Sequence, residues 1–63
     1  MANSNLCYGV KGRDNGFIEL SGTQKGAKRK ASKDGYTELY VMHRVSWAVW
    51  QVAEYNGKRW VNV

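Results

Sequence analysis

Three Asn-Gly or Asp-Gly dipeptides, in a chain without a single proline, do most to constrain what this sequence can fold into. Asn15-Gly16, Asp34-Gly35 and Asn56-Gly57 each match the strongest short hairpin signal. A type I′ turn needs positive φ at both central positions, and Asn, Asp and Gly tolerate it best. Between and around these turns lie strand-length segments rich in β-branched and aromatic residues: Leu6-Cys7-Tyr8-Gly9-Val10, Phe17-Ile18-Glu19-Leu20, Tyr36 to His43, Trp47 to Tyr55 and Arg59 to Val63. They predict an all-β fold, a small antiparallel meander or partly open barrel of about five strands, in one domain over residues 1–63.

One segment supports two conformations. Val45, Ala48, Val49 and Val52 recur at helical spacing, with Ser46 as a possible N-cap and Gly57 just past the end, which gives an α+β alternative with one helix at 46–55. The Trp, Val and Tyr content of Trp47 to Tyr55 favours the strand. A two-residue turn at Asn56-Gly57 then sets Glu54 opposite Arg59, Ala53 opposite Trp60 and Val52 opposite Val61, each a favourable cross-strand pair. In that register Trp50, Val52, Val61 and Val63 form the core face. Trp47, Tyr55 and Trp60, interleaved with Gln51, Lys58 and Asn62, form an aromatic binding face.

Composition narrows the class. Hydrophobic residues make up 43% of the 63, enough for a folded globule. A chain of this length is only marginally stable alone, and its single cysteine, Cys7, rules out an internal disulfide or a cysteine-based zinc cage. Self-association, most simply as a homodimer, is the expected remedy. No apolar run approaches the roughly 18 residues of a membrane span, so no membrane partner is expected. Met1 to Asn5 lacks the basic and apolar regions of a secretory signal, which leads to the expectation of a cytoplasmic protein.

The charge is concentrated in one place. Ten Lys and Arg stand against five Asp and Glu, a net charge of +5. Lys25, Lys28, Arg29, Lys30 and Lys33 fall within residues 25–33 without an acid among them, while the remaining bases balance the remaining acids. The whole excess therefore lies in this window, a ready surface for phosphates because each neutralised phosphate releases condensed counterions. With Asp34-Gly35 read as a hairpin turn, the window becomes one strand of a Lys/Arg-rich β-ribbon, narrow enough to enter a DNA major groove. A solubilising surface or an edge strand protected by lysines accounts for the same residues.

Little catalytic chemistry is visible. His43 is the sole histidine, and no spacing marks a nucleophile with a base and an orienting partner. There is no phosphate-loop or dinucleotide motif and no metal-ligand pattern, so no enzyme and no cofactor are expected. Two functions remain. In the first, a nucleic-acid-binding module holds DNA or RNA phosphates with the basic window, led by Arg29 and Lys30, while Tyr36, Tyr40, Trp47, Tyr55 or Trp60 stack on bases. In the second, a small regulator or inhibitor docks on a larger protein through exposed aromatics with Arg44 and Arg59, or through an acidic surface of that partner. A basic stripe continuous with aromatics favours the first; an apolar patch isolated from the charge favours the second.

Overall fold

The computed structural model describes residues 5–63; residues 1–4, most of the segment read above for a secretory signal, lie outside them. Five strands and one helix follow in the order β1 (Leu6–Lys11), β2 (Phe17–Ser21), α1 (Gln24–Lys33), β3 (Glu38–His43), β4 (Val49–Tyr55) and β5 (Trp60–Asn62). All neighbouring strands are antiparallel, in the spatial order β2-β1-β3-β4-β5. The expected five-stranded antiparallel sheet is present. It is open rather than closed into a barrel, with β2 and β5 as its edges. Of Trp47 to Tyr55, Val49–Tyr55 forms the strand while Trp47 and Ala48 stay in the preceding loop, and the alternative helix at 46–55 is not formed.

The helix lies elsewhere, in the basic window, and this overturns the β-ribbon. Gln, Lys, Ala and Arg are all good helix formers, and they make up most of residues 24–33. Thr23 caps the start: its Oγ1 accepts from the Gly26 N–H at 3.2 Å, and Ser21 Oγ accepts from the Thr23 N–H at 3.2 Å. The Asp34-Gly35 dipeptide ends the helix instead of turning a hairpin. The Tyr36 N–H donates to the Ala31 carbonyl at 2.9 Å and the Gly35 N–H to the Ser32 carbonyl at 3.2 Å, with Gly35 at φ +84°. This is a Schellman cap, whose left-handed position glycine fills without a Cβ penalty. The chain then crosses back over β1, so β3 pairs on the far side of β1 from β2.

Ala27 and Ala31, one turn apart, are the fully buried face of α1. Their small side chains let the helix lie close over Val10, Leu39 and Ala53, with Tyr8, Leu20, Tyr36, Val52 and Trp60 packed around this cluster. One helix layer on one sheet gives a short axis of 19 Å. The opposite sheet face carries no second layer among the described residues. Lys11, Glu38, Tyr40 and Glu54 share that face, since they alternate with Val10, Leu39 and Ala53 along their strands. There the Lys11 ammonium sits 4.8 Å from the Tyr40 ring centroid, and the Tyr40 hydroxyl donates to Glu38 at 3.0 Å.

The last hairpin pairs differently from the two-residue reading. Its loop runs over residues 56–59, where the Asn56 side chain accepts from the Lys58 and Arg59 N–H groups at 2.9 and 3.0 Å, and Gly57 has φ +98°. Tyr55 therefore faces Trp60, Glu54 faces Val61 and Ala53 faces Asn62. Neither expected face survives whole. Trp50, Val61 and Val63, read as core, are 47%, 39% and 65% exposed, whereas Val52 of the same set packs against the core as expected. Ala53, Tyr55 and Trp60 also lie on the helix side, because a bulge opposite Leu39 and Tyr40 shifts the register between Gln51 and Ala53. Strict alternation does not foresee the bulge, which lets the consecutive residues Val52 and Ala53 both reach the core.

Candidate nucleic-acid interface

All five bases of the window stand on α1, and helical geometry sorts them into three groups. At 100° per residue, Lys25, Arg29 and Lys33 fall on the side opposite Ala27 and Ala31, forming an outward stripe at i, i+4 and i+8. The three span about 12 Å at 1.5 Å per residue. Among the described residues none of the three has an ion-pair partner; the one salt bridge there joins Arg44 to Glu19 at 2.9 Å. Lys28 lies on the flank that Gln24 and Ser32 turn toward β5, and it is half-buried.

Lys30 occupies the other flank and has a structural task. A bulge between β1 and β2 pairs Tyr8 with Ser21 and Gly9 with Glu19, leaving Leu20 without a cross-strand partner. The Lys30 ammonium donates to the freed Leu20 carbonyl at 2.8 Å. Of the two bases expected to lead phosphate contact, Arg29 points outward and Lys30 is tied to β2.

The expected aromatic face is not assembled as one surface. Tyr55 and Trp60 meet, with ring centroids 5.5 Å apart and planes tilted by 58°. The Trp60 Nε1–H donates to Ser32 Oγ of α1 at 2.8 Å, which locks this pair beneath the helix flank. Trp47 is separate, in the β3–β4 loop at the far end of β4. It is 69% exposed, its neighbour Val45 is 70% exposed, and its backbone sits at φ +63°. A bulky residue in that region is strained. The loop is held around it by His43, whose Nδ1 accepts from the Val45 and Ser46 N–H groups at 3.3 Å each, and by the Trp47 N–H, which donates to the His43 carbonyl at 2.7 Å. His43 thus supports a turn. These bonds require Nδ1 to be unprotonated, with the ring proton on Nε2 in the neutral form.

Two clefts border the segment that follows the helix cap. The larger, of about 190 Å³, is lined by Ser32, Gly35, Tyr36, Thr37 and Tyr55. The smaller, of about 100 Å³, lies among Lys11, Tyr36, Thr37, Glu38 and Tyr40. Ser32 and Thr37 carry no motif in the sequence; only their place beside the Schellman cap brings them to the cleft. Burial, and secondarily the hydrogen bond to Glu38, raises the Tyr40 hydroxyl above its ordinary pKa. Burial likewise raises the Cys7 thiol, with Glu19 adding to it and Arg44 opposing it. Both groups are held in their neutral forms, which suits packing better than nucleophilic attack. Among the described residues no group of three or more His, Cys, Asp or Glu could hold a metal ion. No helix there is long and apolar enough to cross a membrane.

Comparison with family models, with curated proteins and with solved structures finds no match to this chain.

Proposed function

We propose that the chain is a small nucleic-acid-binding module, rather than an enzyme, whose contact element is the outer face of α1. The observation that carries this is the stripe of Lys25, Arg29 and Lys33: three cations one turn apart, exposed, and without an ion-pair partner among the described residues. Like charges at such spacing oppose helix formation, and no acid on α1 offsets them. A polyanion laid along the helix removes that repulsion and releases counterions. The long cationic side chains of the stripe suit contact with phosphates, the part of a nucleic acid that carries no sequence information. A nucleic-acid ligand also agrees with an intracellular, cytoplasmic location.

The test is a salt titration of binding to DNA. With about three phosphate contacts and a slope of roughly −0.9 per contact on a duplex, affinity should fall about fortyfold between 50 and 200 mM salt. Replacing Lys25, Arg29 and Lys33 together by Gln should abolish most of that slope while leaving the fold intact. A variant that binds with unchanged affinity and slope would remove α1 as the contact surface.

A specific observation favours a second reading as a protein-interaction module. Strain is tolerated at Trp47 to hold an indole in solvent, beside Val45 and away from the basic stripe. On that reading, truncating Trp47 to Ala abolishes partner capture and leaves DNA affinity unchanged.

A further inference from the structure

We infer that the cleft beside the helix cap is a subsite for one unpaired nucleobase, so that the ligand of α1 is single-stranded. This rests on the nucleic-acid reading above and adds to it. The cleft's volume of about 190 Å³ is below the roughly 300–1,000 Å³ of drug-sized sites and suits a single planar ring. Its lining has the composition that holds a base. Tyr36 and Tyr55 supply aromatic surface, the Ser32 and Thr37 hydroxyls supply hydrogen-bonding groups, and Gly35 leaves one wall without a side chain. The Ser32 hydroxyl already accepts from Trp60, which leaves its own proton free to donate.

Position joins this cleft to the cations. Lys28 lies one turn before Ser32 on the same helix flank, and Arg29 follows it on the outward stripe. On the other side, Lys58 and Arg59 stand in the short loop between Tyr55 and Trp60. A strand whose phosphates run along α1 therefore passes the cleft with bases on either side of its rim. Asp34, next to Gly35, sits at the cap past the end of the stripe, while Glu38 and Glu54, next to Thr37 and Tyr55, lie on the sheet face away from the helix. A base stacked inside a duplex cannot enter such a cleft without being extruded, at a cost of unpairing and unstacking. Single strands present their bases without that cost, and aromatic surfaces accept any base.

The experiment compares an oligothymidylate of about 12 nucleotides, within the range of small single-strand sites, with a duplex of equal length. Trp47→Phe and Trp50→Phe in one background leave Trp60, in contact with Tyr55, as the reporter. The oligothymidylate should bind more tightly than the duplex and change Trp60 emission, while the duplex leaves it unaltered. Thr37→Phe plugs the cleft from an exposed position, and Tyr55→Leu removes its aromatic wall. Each should weaken the single strand about tenfold, the scale of one lost stack, without changing the salt slope or the duplex affinity. Thr37→Phe keeps the test valid if Tyr55→Leu fails to fold. Equal affinity for duplex and single strand, or single-strand binding unaffected by Thr37→Phe, overturns the base subsite while leaving α1 as a phosphate contact. Absence of salt-dependent binding to either probe overturns both.

Discussion

Gly9 occupies the point in β1 where the β2 bulge brings two backbones together. A Cβ built on Gly9 would run into the Ile18 carbonyl of the neighbouring strand, a collision with main chain that no rotamer change relieves. Gly9→Ala should therefore destabilise the protein by about 3 kcal/mol, at the upper end of the usual overpacking range. Urea denaturation of the two proteins measures it; an unchanged midpoint would mean that the sheet opens there at no cost. Nothing local in Gly9-Val10-Lys11-Gly12 announces this role, because the crowding comes from a strand that pairs only after folding. Trp47 is the converse. Its exposure is compatible with the binding-face expectation, but the positive φ that holds it depends on three hydrogen bonds made within the 43–47 turn, which composition does not reveal.

At the scale of the element, α1 shows why one local signal can serve two structures. Positive φ is what a type I′ turn requires of glycine, and it is also what a helix end requires at Gly35. The Asp-Gly signal marked a real reversal in chain conformation but not its kind. The helix was hard to see because its buried stripe is two alanines, Ala27 and Ala31, too small and weakly hydrophobic to stand out among five bases. The strand at Val49–Tyr55 was legible since β-branched and aromatic residues dominate it, and the charge cluster was legible from residue type alone. Which cations face outward was not, for that depends on helical phase. Thr23 starts this phase, and Thr23→Ala removes the acceptor of the Gly26 N–H. A loss of about 0.5–2 kcal/mol is expected in thermal unfolding, with most of it restored by Thr23→Ser. A Thr23→Ala protein as stable as the parent would show that the cap contributes nothing.

For the molecule as a whole, the cations proposed to contact phosphates also work against folding. Four like-charged pairs on α1 stand at i, i+3 or i+4: Lys25 with Lys28 and Arg29, and Lys33 with Arg29 and Lys30. At about 0.2–0.5 kcal/mol each they cost roughly 1–2 kcal/mol at low salt. That is a large share of the few kcal/mol expected for so small a domain. Sodium chloride shortens the screening length from about 30 Å at 0.01 M to about 3 Å at 1 M and should relieve this repulsion. Stability is thus expected to rise by about 1 kcal/mol over that range, or about 4–8 °C in Tm, while DNA affinity falls. The Arg44–Glu19 bridge is weakened by the same salt, but an exposed pair is worth only about 0.2–1 kcal/mol and is present in both proteins compared. Each of the four pairs includes Lys25, Arg29 or Lys33, so replacing those three by Gln should remove the rise with salt and make the protein more stable than the parent at low salt. Calorimetry of the two proteins across the salt series decides it: if both respond to salt alike, the stripe is not under electrostatic strain, and the link between the stability of α1 and its affinity for polyanions is lost.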